Sequence, residues 1–336
     1  MYEIRLCKAN EIGLLKSFLK NSWSKDHIFL RDQDLLDYQH KAHDVYNFVV
    51  AHHLETNCFH GILGIVSPDF YTFRKINKNQ DIWLAIWKVD KSLTKSNYLG
   101  MEMLEYIEAE FTPKSISAIG INEEVALLYK LMGFKTKKMK QWFKPNRNIV
   151  DYKLILGDLP FPAHEIENPC YKIVECGVEH ENNLEFFLSN NKSKKSFRYL
   201  IERYLKHPTY EYKIYAILKS DFDPHALIVG REVVANGAKA FRITELFSEK
   251  DTPLNICSSL NEIMANNAYE YIDFLEYGFD EISLINCGFI ESTDSHFVPH
   301  LFEPFVDVRK EVQIAFKSKH PFSCTKGDSD LDRPNL

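Results

Sequence analysis

Residues 90–104 join an apolar strand pattern to a helical one, and they carry Lys91, Lys95, Asn97 and Gly100 in that order. A loop that opens a helix presents backbone N–H groups with no intrahelical partner, together with the positive end of the helix dipole. Such a terminus binds phosphate. Gly100 would let a pyrophosphate approach the backbone, and Lys91 or Lys95 would add positive charge. One glycine is a thin signal beside a full glycine-rich fingerprint, and a plain strand-to-helix loop accounts for the same residues.

A second cluster lies between 22 and 40. Trp23, Asp26, His27, Gln39 and His40 form a polar-aromatic set suited to a hydroxyl-rich ligand. The plainer reading is a solvated helix pair with capping residues. Near the C-terminus, Asp328, Asp330 and Asp332 alternate as in a calcium loop, but the sixth-position glycine and twelfth-position glutamate are missing. That tail reads either as a solvated terminus or as a segment folded onto a cleft, where Asp332 and Arg333 could hold an amino-sugar. No metal is expected. His296 and His300 have helical spacing, but Pro299 lies between them and no glutamate follows the first histidine. Gly-x-Ser-x-Gly and phosphate-loop motifs are absent from the sequence.

The elements around these residues must come from a chain of 336 residues, enough for two ordinary domains. Its 45% hydrophobic and 26% charged content is that of a globular protein, and aromatics reach 13%. A net charge of −6 gives no support to nucleic-acid binding, which needs a basic excess. No apolar run approaches the ~20 residues of a membrane span. Seven scattered cysteines without a Cys-x-x-Cys pair read as reduced thiols of a cytoplasmic protein, and the first residues carry no secretion signal.

Apolar spacing predicts strands at 2–7, 45–52, 58–66, 81–89 and 115–121. It predicts helices at 10–21, 32–43, 97–110 and 123–132, the last stopped by Gly133. The three prolines of 158–169 read as a linker. The second half then repeats the order. Strands are predicted at 171–176, 212–218, 226–234, 240–247, 271–275 and 313–317, and helices at 181–188, 196–205, 254–268 and 282–287. The class is α/β, with two tandem domains, each a mixed sheet flanked by helices. The expected boundaries are 1–157, the linker 158–169, 170–325, and an acidic tail at 326–336.

The stretch 115–134 reads strand, asparagine turn, helix, Gly-Phe. Here the chain resembles the GNAT acyltransferase superfamily, whose members show an asparagine after the fifth strand and a helix ending in Tyr-x-x-x-Gly-Phe. The matching residues are Asn122, Tyr129, Gly133 and Phe134. The resemblance covers roughly residues 1–145. It implies an acyl-CoA co-substrate, acetyl-CoA in the simplest case, with its pyrophosphate on the loop at 95–100. That loop usually reads Arg/Gln-x-x-Gly-x-Gly/Ala. Here only Gly100 is in register, with Lys95 or Asn97 in place of the arginine or glutamine. Val89, Lys95, Asn97, Leu99, Gly100 and Met101 are the implied cofactor residues. Tyr129 and Asn122 are the implied catalytic ones, Tyr129 as general acid to the departing thiolate. The strand 81–89 should part from its neighbour to hold the pantetheine arm, with Asp81, His52 and His53 as base candidates by position.

Trp23, Asp26, His27 and Gln39 would shape the acceptor site. Their spacing is similar to a pattern in acyltransferase-like proteins of bacterial surface-polysaccharide gene clusters. In the second half, residues 279–289 echo the Gly-Phe ending with Leu284 or Ile285 at the tyrosine position. The loop before its main helix has no glycine and carries Glu249, Asp251 and Pro253, so that domain is expected to lack a CoA site. The implied function is acetyl transfer to an amine of a sugar nucleotide or related cell-surface polysaccharide precursor. The alternatives are a Fem-like aminoacyl transferase and a non-catalytic carbohydrate-binding protein. A homodimer is left open.

Overall fold

A computed structural model describes residues 1–160, 171–191, 195–221, 223–249 and 252–332, leaving aside the side chain of Asn183. Most of the expected linker, and Arg333 of the tail, lie outside the described residues. The elements in chain order are β1 (Tyr2–Lys8), α1 (Ile12–Phe18), α2 (Ile28–Arg31), α3 (Gln33–His40), β2 (Val45–His53), β3 (Cys58–Val66), α4 (Pro68–Phe73), β4 (Asp81–Val89), α5 (Leu99–Phe111), β5 (Ser115–Ile121), α6 (Glu123–Leu131), β6 (Lys135–Lys138) and β7 (Lys140–Pro145). There follow β8 (Lys172–Glu175), α7 (Glu181–Ser189), α8 (Phe197–Leu200), β9 (Tyr212–Ser220), β10 (Asp223–Ala235), β11 (Ala238–Ser248), α9 (Cys257–Asn267), β12 (Tyr271–Tyr277), α10 (Glu281–Asn286), β13 (Gln313–Ser318) and β14 (Cys324–Thr325).

The chain forms two units, each with its own mixed sheet. One comprises Met1–Lys137, Gln313–Pro321 and Asp328–Leu336; the other comprises Lys138–Val312 and Phe322–Gly327. The first sheet runs β1-β2-β3-β4-β5-β13-β6, and the second runs β8-β9-β10-β11-β12-β7. Residues 1–157 read as one domain from the sequence, yet β7 pairs antiparallel with β12, Trp142 facing Phe274. The strand beside β5 is instead β13, with Ala315 opposite Ala118. Apolar alternation fixes which residues form a strand but not which distant edge receives it. The tail is not a solvated terminus as far as Asp332: Lys326 is 4% and Ser329 3% exposed.

In the first unit Leu15, Phe18, Phe29, Leu35 and Leu36 pack from the helices onto Phe48, Val50, Ile62 and Ile86 of the sheet. Helix 10–21 of the sequence reading is shorter, because Leu19–Trp23 continue as a π-helical turn. Helix α4 was not legible at all in the sequence pattern. Ser67 caps it by accepting from Phe70 N, and Pro68 opens it.

Both Gly-Phe endings are built alike. Phe134 N donates to Tyr129 O at 3.0 Å and Gly133 N to Lys130 O at 3.0 Å. Phe289 N donates to Leu284 O at 3.1 Å and Gly288 N to Ile285 O at 2.9 Å. Gly133 (φ +82) and Gly288 (φ +84) take the left-handed conformation this closure requires. The pairing aligns Leu284, not Ile285, with Tyr129. No helix among the described residues is long and apolar enough to cross a membrane. The six described cysteines are free, and all but Cys58 are buried.

Candidate functional site

The first unit's site is built on two devices in β4. Its parallel pairing with β5 holds for Asp81↔Ser115, Ile82↔Ile116 and Trp83↔Ser117, and stops there among the described residues. On the other edge, Leu63 faces Trp87 while Ile65 faces Leu84, so Ala85 and Ile86 together oppose Gly64. That is a β-bulge, which re-aims backbone and side chains. From Leu84 onward, through the bulge, β4 has no pairing with β5 among the described residues.

The strand leads to the N-terminus of α5. Tyr98 stands at its N-cap with no side-chain hydrogen bond. The helical ladder opens with Glu102 N donating to Tyr98 O at 2.9 Å, so the N–H groups before it precede the ladder. Lys95 and Asn97 are exposed, Met101 is 39% exposed, and Leu99 is buried. Leu99 can therefore contribute only backbone. Val89 pairs with Gly61 at the end of the strand.

Trp87 connects these parts and was not singled out in the sequence. Its indole Nε1 lies 3.4 Å from where a β-carbon on Gly100 would stand. Its ring is 5.4 Å from that of Tyr129, edge-on, and Tyr129 is 4.9 Å from Phe134. Strand alternation was the only available signal, and it marks Trp87 no more than Trp83. Tyr129 is 2% exposed, and burial pushes its hydroxyl above the ordinary phenol range. Asn122 Oδ1 accepts from Val125 N at 2.8 Å, which makes it the N-cap of α6.

The stretch after α1 is tied to the end of β4. Ser22 Oγ donates to Asp90 Oδ2 at 2.6 Å, and Ser92 donates to Asp90 Oδ1 through Oγ at 2.6 Å and N at 2.9 Å. These bonds, Ser22 first, hold the Asp90 carboxyl below its usual range. The tether brings Trp23 to the same strand end as the bulge. Trp23 is 44% exposed and edge-on to His27 at 6.4 Å. His27 Nδ1 accepts from Phe29 N at 3.2 Å; Phe29 then meets His40 at 5.4 Å. Trp23 and His27 are thus together. Gln39 is buried in α3, and Asp26 faces solvent.

The three base candidates have local partners elsewhere in the sheet. Asp81 accepts from Ser115 Oγ at 2.6 Å at the closed end of β4. His52 lies 3.0 Å from Arg5 and 2.9 Å from Asn57 Oδ1, and His53 stacks on His60 at 4.7 Å.

Two solved structures carry the comparison. A GCN5-related N-acetyltransferase from Anabaena variabilis superposes with a TM-score of 0.57 at 11% identity, over 94% of this chain and 72% of that one. A conserved Enterococcus faecalis protein of unknown function, described as a probable N-acyltransferase, gives 0.56 at 8% identity over 95% and 73%. The fold is therefore that of the GCN5-related N-acetyltransferases, in tandem. No family model and no curated protein sequence matches the chain.

Proposed function

We propose that the chain is an acyl-CoA-dependent N-acyltransferase, with the donor held by its first unit between β4 and β5. The observation that carries this reading is the parting of the two strands after Trp83 and Ser117, followed by an uncapped helix at Leu99. The parted edge of 84–89 suits the amides of a pantetheine arm, and the helix mouth with Gly100 suits the pyrophosphate. Lys95, Asn97 and Met101 line that mouth, and Val89 marks the strand end.

In the proposed step the acceptor amine attacks the thioester carbonyl carbon. The C–N bond forms and the C–S bond breaks, with backbone N–H groups of the bulge stabilising the carbonyl oxygen. CoA leaves as thiolate and takes a proton from Tyr129, which solvent restores; the attacking nitrogen releases its extra proton to solvent. Burial keeps Tyr129 protonated. It also makes that proton harder to release, so much of its effect is a hydrogen bond to the leaving sulfur. The acceptor is assigned to the Trp23–His27 side, as an amino-sugar nucleotide or related surface-polysaccharide precursor.

The test is thiol release from acetyl-CoA with a panel of amino-sugar nucleotides. Amine-dependent release that falls in Tyr129→Phe supports the reading, and amine-independent or absent release rejects it. A non-catalytic carbohydrate-binding role is the second reading. It is favoured by the helix mouth itself, where Gly100 alone stands in register with the usual pyrophosphate loop and Trp87 packs against both Gly100 and Tyr129.

A further inference from the structure

The second unit repeats both devices of the first and then fills the gap. Val229 faces Glu245 and Gly230 faces Ile243, so Thr244 is an extra residue in β11. The parallel pairing of β11 with β12 holds for Phe241↔Ile272, Arg242↔Asp273 and Ile243↔Phe274. Beyond it the segment 324–327 enters. Thr325 faces Glu276 and Cys324 faces Tyr277. Lys326 N donates to Leu275 O at 3.1 Å, and Gly327 N donates to Thr244 O at 3.0 Å. One short segment therefore gives a backbone donor to each of the two parted strands, including the bulge carbonyl.

The fit is close on every side. A β-carbon on Gly327 would stand 2.5 Å from the Tyr204 hydroxyl and 2.7 Å from Glu245 Oε1. One on Gly278 would stand 2.8 Å from Phe322 O, and Gly278 has φ +86. Glu245, 1% exposed, accepts from Lys195 Nζ at 2.8 and 2.6 Å, from Tyr199 OH at 2.9 Å and from Tyr204 OH at 2.8 Å. Thr325 Oγ1 joins it at 3.4 Å. Lys195 is paired with the Glu245 carboxylate, and Arg203 donates to the Tyr199 hydroxyl at 3.0 Å. The loop before α9 holds Glu249 and no glycine. What the opening recognises is an extended backbone with amide donors, the chemistry of strand addition to a sheet.

We propose that the gap between β11 and β12 is a binding site for an extended amide-bearing chain, occupied in cis by residues 324–327. A polypeptide strand and a pantetheine arm share that chemistry. The site concerns the second unit alone and goes beyond the acyl-transfer reading of the first.

The test is residue-resolved amide hydrogen exchange on the full-length chain with two variants. Gly327→Ala drives a methyl against Tyr204 and Glu245. Thr325→Val removes the hydroxyl that donates to Glu245 and accepts from Gly327 N, and leaves the backbone bonds to Leu275 O and Thr244 O in place. Protection at 324–327 and 275–277 is expected to fall about tenfold or more in Gly327→Ala and less in Thr325→Val, with 45–66 unchanged. A peptide of the sequence 321–330, at millimolar concentration, is expected to restore protection at 272–277 in Gly327→Ala. Restoration by pantetheine instead keeps the site and makes the carrier arm its ligand. The site is refuted if neither restores protection once 324–327 is released. It is equally refuted if Gly327→Ala leaves 324–327 as protected as wild type, or if both variants unfold the second unit, which would make 324–327 an integral strand. Donor binding in the first unit is read separately at 84–89, so its failure is distinguishable.

Discussion

The indole of Trp87 lies against Gly100, with Cζ2 and Nε1 each 3.4 Å from the position of an added β-carbon. That is ordinary contact, so the ring does not forbid a side chain there. The methyl would be directed at the indole and would add bulk beside the helix mouth, where the proposed pyrophosphate sits. Gly100→Ala is expected to keep or gain stability, by up to about 1 kcal/mol, as alanine replaces glycine in a helix. Its acetyl-CoA affinity should fall about tenfold, the cost of one weakened charged hydrogen bond. Calorimetry and a thermal melt read the two effects independently.

Tyr129→Phe should lower turnover by about 10²-fold or more if its hydroxyl serves the leaving thiolate, with little change in acetyl-CoA affinity. Because burial raises the Tyr129 pKa above the ordinary phenol value, the acid stays protonated through the alkaline range. The pH–rate profile of the wild type should therefore show no alkaline limb from this group below about pH 10. An alkaline limb that vanishes in Tyr129→Phe would contradict the burial.

Asn122 is engaged as the N-cap of α6 through Val125 N. Asn122→Ala should cost about 1 kcal/mol, and Asn122→Asp or Asn122→Ser much less. Denaturant unfolding measures it. Turnover lost equally in all three would assign the amide a chemical role beyond capping.

The Ser22–Asp90 bond gives a pH test with a definite sign. The Asp90 carboxyl is depressed in the folded state, so its stabilisation is present above the unfolded value near 4 and is lost as pH falls through the folded value. Ser22→Ala removes the largest cause. The variant should be less stable than wild type by a few tenths to about 1 kcal/mol at neutral pH, the lower end reflecting partial exposure. The gap should close below about pH 4. Urea unfolding at both pH values checks it.

What could be read from the sequence was local. Gly133-Phe134 and Gly288-Phe289 announce the same helix closure because the residues that close it are contiguous. Gly100 marks a helix mouth for the same reason. Gln313–Ser318 was legible as a strand, but its partner Ser115–Ile121 lies more than a hundred residues away, as does Tyr271–Tyr277 from Lys140–Pro145. Trp87 became a site residue only when a bulge and a helix mouth were brought to one strand end. The segment 324–327 carries no strand pattern of its own; its place is set by Thr244, Leu275 and the space at Gly327.

In the proposed function, acyl-CoA binds the first unit along the parted half of β4, and amide hydrogen exchange with and without saturating acetyl-CoA reads that binding at the strand itself. The expected result is protection confined to 84–89 and 98–101 in the first unit, reduced in Gly100→Ala. No change at those amides with millimolar acetyl-CoA, or protection that leaves them untouched and appears elsewhere, would contradict it.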